Sequence, residues 1–144
     1  MFLGEFEYKI DEKGRVPLPP KYRGVLKDGV ILAPGIEKCI TVYTIPEWKK
    51  VTSELTNSSL TSSKLRKLNR AIFATTFSTQ IDGQGRVALP APLREYTGIE
   101  GEVDEVVVAG ANNYLEIWSR EGWEAEKVIS QEQAWQTIES LENR

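Results

Sequence analysis

The sequence predicts an α+β fold in which two pseudo-symmetric, strand-rich units share one core. Three observations carry that expectation. A ten-residue motif occurs twice: Ile10-Asp11-Glu12-Lys13-Gly14-Arg15-Val16-Pro17-Leu18-Pro19 and Ile81-Asp82-Gly83-Gln84-Gly85-Arg86-Val87-Ala88-Leu89-Pro90. Short β-patterned runs flank both copies, and internal repetition at a fixed offset sets the architecture before any local assignment. Finally, each copy covers only about 45 residues, close to the limit for burying an adequate core alone, so the copies are expected to pool their apolar faces.

The correspondence extends past the motif. Arg23 and Arg94 follow at the same distance, Val30 to Gly35 matches Glu105 to Gly110, Cys39 to Tyr43 matches Tyr114 to Trp118, and Trp48 matches Trp123. The offset grows from 71 to 75, placing about four extra residues at Gly101 to Asp104.

Each unit reads β-β-α-β-β followed by a helix. Phe6, Tyr8 and Ile10 alternate with Glu5, Glu7 and Lys9, the period of a half-buried strand. Asp11 to Gly14 predicts a hairpin turn, with Gly14 at positive φ and Asp11 bonding the turn backbone. Val16 and Leu18 resume the alternation, and Pro19-Pro20 opens a short helix to about Lys27. Val30 to Leu32 and Cys39 to Tyr43 are strands by their β-branched and aromatic content. Pro46 starts a helix through Trp48, Val51 and Leu55. The polar run Thr56 to Ser63 is a loop ending in N-cap residues, after which Leu65, Leu68 and Ile72 recur at helical spacing. Ser119 to about Leu141 predicts a long acidic helix packed on the body through Trp123, Trp135, Ile138 and Leu141. The expected divisions are repeats at 5–50 and 76–122, a connecting helical segment at 51–75 and an acidic C-terminal helix at 123–144.

One cysteine and no bilayer-length apolar run exclude disulfides and membrane insertion as organising features. The N-terminus leads straight into a strand without the blocks of a signal peptide, so a cytoplasmic protein is expected. The net charge of −3 speaks against nucleic acid, but its distribution does not. Lys9 to Lys27 holds six basic residues against two acidic, and Glu116 to Arg144 holds seven acidic against three basic. A cationic face suits an anionic ligand.

The duplicated turn supplies the candidate site. An arginine at a turn tip can fork onto phosphate or onto guanine O6 and N7, worth about 1–3 kcal/mol of base discrimination per contact, too little for a regulator unless several act together. Lys13 adds a phosphate contact in the first copy; Gln84 stands in its place in the second. Gly14 and Gly85 keep Cβ atoms away from an approaching duplex. Asp11 and Asp82 support the motif, and an alternative for Arg15 and Arg86 is that they only pair with these aspartates. Arg23 and Arg94, on the short helices, suit pairing within the protein as well as binding.

The paired Asp-x-x-x-Arg motifs, the Leu-Pro-x-x-x-Arg continuations, the opening Met-Phe-x-Gly and the run Leu115-Glu116-Ile117-Trp118 together resemble the bacterial MraZ family along essentially the whole chain. That resemblance implies two AbrB/SpoVT-like swapped-hairpin (double-split β-barrel) units. It implies a nucleoid-associated, sequence-specific DNA-binding regulator, usually a repressor, of the division and cell-wall gene cluster. The partner would be double-stranded DNA at short direct repeats in the promoter, bound by a homo-oligomeric ring of roughly eight to twelve subunits. Carried over by position, the DNA contacts are Lys13, Gly14, Arg15, Gln84, Gly85 and Arg86. No cofactor or small-molecule effector is implied.

Other readings were weighed on the residues. Gly83-Gln84-Gly85-Arg86-Val87-Ala88 fits G-x-G-x-x-A, but a strand and a proline follow where the dinucleotide fingerprint needs a helix. No histidine is present and no nucleophile has a base near it in sequence, so catalysis is not expected. Cys39, in the position of Tyr114, reads as a small buried residue. The basic run Lys64, Arg66, Lys67 and Arg70 reads as the solvated face of a connecting helix. The rival from another class is an antitoxin-like or structural interaction module, with the repeat as an assembly scaffold and the acidic tail recruiting a protein. Steep salt dependence would mark DNA binding.

Overall fold

A computed structural model describes residues 1–100 and 104–143. The elements follow the expected order: β1 (Glu5–Lys9), β2 (Arg15–Pro17), a 3₁₀ turn (Pro20–Tyr22) running into α1 (Arg23–Leu26), β3 (Val30–Pro34), β4 (Ile40–Thr44), α2 (Ile45–Thr56) and α3 (Ser62–Phe73). The second unit repeats it with β5 (Phe77–Thr79), β6 (Arg86–Ala88), α4 (Ala91–Thr97), β7 (Glu105–Gly110), β8 (Leu115–Ser119) and α5 (Arg120–Glu142). Of the expected insertion at Gly101 to Asp104, only Asp104 falls within the described residues.

Two antiparallel sheets result. The larger has the order β1-β7-β8-β4-β3-β5; the smaller is the pair β2-β6. Each unit's leading strand therefore joins the other unit: β1 lies on β7, with Tyr8 opposite Val106, and β5 lies on β3, with Ser78 opposite Ile31. The β2-β6 ribbon is made of one strand from each unit, Val16 opposite Val87. The turns at Asp11–Gly14 and Asp82–Gly85 thus join strands of different sheets rather than closing simple hairpins. Both glycines take the positive φ expected, 74° and 75°.

Between the sheets lies a single apolar cluster drawn from both units, including Ile10, Val16, Leu18, Leu32, Val42, Val87, Leu89, Leu93, Val108 and Ile117. Alternation explains the ribbon. Val16 and Val87 point inward and are fully buried, so Arg15, Pro17, Arg86 and Ala88 share its outer face.

Helices α2 and α5 start alike, capped by the hydroxyls of Thr44 and Ser119, which accept from the Glu47 and Gly122 amides at 3.2 and 3.0 Å. They then diverge. α2 ends at Thr56 and the chain folds back as α3, bringing Phe73 against Trp48 with ring centroids 5.7 Å apart. α5 continues straight. Arg120 pairs with Glu105, Lys127 with Glu5 at 2.8 Å, and Trp123 lies against Trp118, but every residue from Val128 to Asn143 is exposed. The expected packing of α5 on the body therefore holds for Trp123 and fails for Trp135, Ile138 and Leu141. The helix leaves the sheet once it passes the edge strand β1, and no described segment covers its distal half. No described helix is long and apolar enough to cross a membrane.

Candidate nucleic-acid interface

In the first turn the Asp11 carbonyl accepts from the Gly14 amide at 3.0 Å, and the Asp11 amide donates to the Arg15 carbonyl at 3.0 Å. The Asp11 carboxylate organises the rest. Oδ1 accepts the backbone amides of Lys13 and Arg15, both at 2.9 Å, while Oδ2 accepts Arg15 Nε at 2.6 Å. The second turn repeats this: Asp82 Oδ1 takes the amides of Gln84 and Arg86 at 2.9 Å, and Oδ2 takes Arg86 Nε at 2.8 Å. A short polar side chain folding onto the backbone two residues on is the Asx turn, and it accounts for aspartate at this position in both copies.

The same geometry sets the electrostatics. Loss of hydration acts to raise the Asp11 pKa, but hydrogen bonds from Arg15 and Lys13 outweigh it and hold the carboxyl below its ordinary value. At Asp82 the backbone hydrogen bond from Arg86 is the largest influence and its pKa is likewise lowered. Both aspartates thus stay ionised, and each fixes its arginine through Nε. Each guanidinium keeps the terminal nitrogens of the fork that matches phosphate or a guanine edge, and Arg86 Nη1 lies 3.7 Å from Asp11 Oδ2. The Arg15 and Arg86 side chains are 27 % and 25 % exposed.

The ribbon brings the two turns to one site. Arg15 stands opposite Ala88 and Arg86 opposite Pro17, two residues apart along a shared outer face. Each turn is locked to the other unit's strand, through Leu18 N–H to the Gly85 carbonyl at 2.9 Å and Leu89 N–H to the Gly14 carbonyl at 2.8 Å. Lys13 and Gln84 are exposed at the tips. Gly14 and Gly85 are buried, and the space their side chains would take belongs to arginines of the opposite unit. A Cβ on Gly14 would meet Arg94 Cζ at 3.4 Å, and one on Gly85 would collide with Arg23 Nε and Cδ. Arg23 and Arg94 also donate Nε to the carbonyls of Leu18 and Leu89, at 3.2 and 3.1 Å. They are supports of the turns, a role visible in the sequence only as an arginine recurring eight residues after each motif arginine.

Among the described residues no cluster of three or more His, Cys, Asp or Glu is placed to hold a metal. Cys39 is fully buried, and burial, followed by the charge of Glu116, pushes its thiol far up, so it is no nucleophile. The basic residues Lys64, Arg66, Lys67 and Arg70 are exposed on α3, with no ion pair among the described residues.

The fold and site define a class: an internally duplicated α+β protein that presents two aspartate-anchored arginines on one ribbon built from both repeats. A family model described as "MraZ protein, putative antitoxin-like" matches the chain twice, over residues 1–71 and 72–142. The chain belongs to this MraZ family. Proteins from two strains of Dehalococcoides mccartyi, each named Transcriptional regulator MraZ, are 60% and 59% identical over 143 residues, covering 99% of both chains. One of the same name from Thermus thermophilus is 38% identical over 143 residues, 98% of this chain and 99% of its own.

Proposed function

We propose that this protein regulates transcription by binding promoter DNA through Arg15 and Arg86. The observation that carries the reading is the joint presentation of both arginines on the outer face of β2-β6, each oriented by its turn aspartate. A ligand meets two guanidinium forks at once, beside Lys13, Gln84 and the turn backbones at Gly14 and Gly85. A two-stranded ribbon fits the major groove of a duplex, where an arginine fork reads guanine. The names of the relatives agree with this use.

The finer reading is repression of the division and cell-wall gene cluster by a nucleoid-bound homo-oligomeric ring of roughly eight to twelve subunits on short direct repeats. The reciprocal pairing of β1 and β5 supports the swapped-hairpin description of the units at 5–50 and 76–122. A ring follows physically from weak individual sites. Linked sites act at high effective concentration and gain avidity without new contacts. Subunits related by rotation in one sense meet repeats arranged head-to-tail.

The test is fluorescence anisotropy with a duplex from the promoter upstream of the protein's own gene, comparing wild type with the Arg15→Ala/Arg86→Ala double variant at two salt concentrations. The expected result is salt-sensitive binding by the wild type, lost in a variant of unchanged mass. Equal binding by both proteins would move the interface away from the ribbon.

A further inference from the structure

Outside the ribbon, two unpartnered surfaces stand out and they match each other. One is an open, mainly apolar groove of about 430 Å³ between the β3-β4 turn (Gly35, Ile36), α3 (Ala71, Ile72) and α4 (Leu93, Tyr96). The other is α5 beyond Lys127.

The pseudo-symmetry says what kind of side chain such a groove takes. In the opposite half the chain's own N-terminus crosses the β7-β8 turn: Phe2 N–H donates to the Asn112 carbonyl at 2.8 Å, and a Cβ on Gly110 would meet Leu3 N at 2.5 Å. There Phe2 is 5% exposed, with its ring 4.9 Å from that of Tyr22. Tyr22 corresponds to Leu93 and Gly110 to Gly35. At Gly35 the three atoms nearest a built Cβ belong to Cys39 and Thr41, and the Gly35 carbonyl accepts the Tyr96 hydroxyl of α4 at 2.5 Å, so this turn is touched from α4 where the other is crossed by the N-terminal segment. The residue aligned with Phe2 is Phe73, and it is turned instead against Trp48. The place taken by an aromatic ring in one half stands open in the other.

A basic stretch of α3 continues beyond the groove. On α3, Lys64, Lys67, Leu68 and Ala71 fall at i, i+3, i+4 and i+7, one continuous face that runs from the two lysines to the groove-lining Ala71. On α5, Val128, Glu132, Trp135, Ile138, Glu139 and Glu142 form the complementary face at i, i+4, i+7, i+10, i+11 and i+14. From Ser130 to Glu142 that helix carries three acidic residues and no basic one, and Trp135 is 68% exposed. The stretch Val128–Glu142, fifteen residues, is of a length at which an isolated helix is marginal in water.

We infer that the groove receives the distal half of α5 from a second copy of this chain, with Trp135 entering between α3 and α4 and Glu132 and Glu139 facing Lys64 and Lys67. This rests on the homo-oligomeric reading above and names the surface that builds it. An amphipathic helix laid in an apolar groove, read through residues at these spacings, is a common docking mode. Opposite charges on the flanks fix its register. Groove and helix are different patches, so copies join either by reciprocal exchange or head-to-tail around a ring.

The test is sedimentation velocity on the full chain. Trp135→Ala and the Lys64→Glu/Lys67→Glu double variant are each expected to raise the concentration of half-dissociation about tenfold or more. Adding Glu132→Lys/Glu139→Lys to the lysine variant is expected to restore assembly. All five positions are exposed, and circular dichroism melts check that each variant is folded. Unchanged mass in both variants would overturn the docking while leaving the oligomer in place. Dissociation without rescue by the reversed charges would overturn the pairing of α5 with α3. A wild type that is monomeric at every concentration would overturn both the docking and the oligomer. If the lysine variant keeps its mass but loses promoter binding, the basic face of α3 belongs to DNA and the inference falls. Arg15→Ala/Arg86→Ala, whose side chains lie outside the groove, is expected to keep wild-type mass whatever its effect on DNA.

Discussion

Asp11 of the first turn faces Arg86 of the second across the β2-β6 ribbon, with Oδ2 3.7 Å from Nη1. The same oxygen accepts Arg15 Nε at 2.6 Å, so one carboxylate attends both arginines. Among the described residues Asp82 pairs with Arg86 alone. The two halves of the site are therefore unequal. Asp11→Asn is expected to weaken promoter binding more than Asp82→Asn, because it frees Arg15 and also removes a charge beside Arg86, which Asp82 still holds. Anisotropy titrations of the two single variants at one salt concentration check the order; a stronger effect from Asp82→Asn would place the principal contact in the second turn.

Acid should act on the same pair. Both carboxyls have folded-state pKa values below their ordinary value of 3.8, so each contributes stability above that value and loses it as pH falls through the folded pKa. The Asp11→Asn/Asp82→Asn double variant is expected to show a flatter stability curve in the acid range below about pH 4. Urea unfolding at stepped pH measures it, and parallel curves for variant and wild type would exclude the aspartates as the source.

Glu116 has the opposite sign. Burial raises its pKa above 4.5, against the partial relief of hydrogen bonds from Trp118 Nε1 at 3.1 Å and the Cys39 thiol at 3.5 Å. A carboxyl raised in the folded state costs stability as pH climbs from its unfolded pKa through its folded one. Glu116→Gln keeps an acceptor oxygen for Trp118 Nε1 and turns an NH2 donor toward Cys39 Sγ, without the charge. It is expected to melt higher than wild type at neutral pH and to match it near pH 4, an order that calorimetry at the two pH values would read directly.

The two turn glycines should not be equally replaceable. Both lie at positive φ, a conformation that costs an L-residue about 1–2 kcal/mol. At Gly14 the added Cβ meets Arg94 at 3.4 Å, a contact a flexible side chain relieves, whereas at Gly85 it collides with Arg23. Gly85→Ala is expected to lose more stability than Gly14→Ala. Pairing Gly85→Ala with Arg23→Ala should recover part of the difference in chemical denaturation.

Phe2 and Phe73 offer a similar comparison. Phe2→Ala removes a ring buried in the shared core and should cost about 3 kcal/mol. Phe73 is 41% exposed, and its replacement should cost less than half as much, about 1 kcal/mol. Equal losses in urea midpoints would mean that the groove side is as well packed as the N-terminal side.

Much of this was legible in the chain because the repeat compares each position with its counterpart. Glycine at the fourth turn position, aspartate at the first and arginine at the fifth follow from local backbone chemistry, and the fold keeps them. What local patterns do not carry is the partner of each strand. Nothing in Phe6-Glu7-Tyr8 says that β1 pairs with β7 of the other unit, because strand alternation fixes a face and not a neighbour. The same limit hid the roles of Arg23 and Arg94, which act on the turn of the opposite unit. At α5 the apolar residues at helical spacing predict packing on this chain's own core, whereas Trp135, Ile138 and Leu141 are exposed. Periodicity shows that a face wants cover without showing whose surface supplies it.

The exchange of β1 and β5 between repeats has a consequence for ancestry. A chain holding one copy would leave its first strand unpaired until it met a twin, so a single-copy unit would be complete only as a two-fold dimer. In such a dimer every substitution appears on both sides of the axis. Joining the copies through α2 and α3 makes the pairing intramolecular and frees the sides to differ. Lys13 against Gln84, Tyr22 against Leu93 and Phe2 against Phe73 are the record of that freedom: one half closed on itself, the other left open to a neighbour.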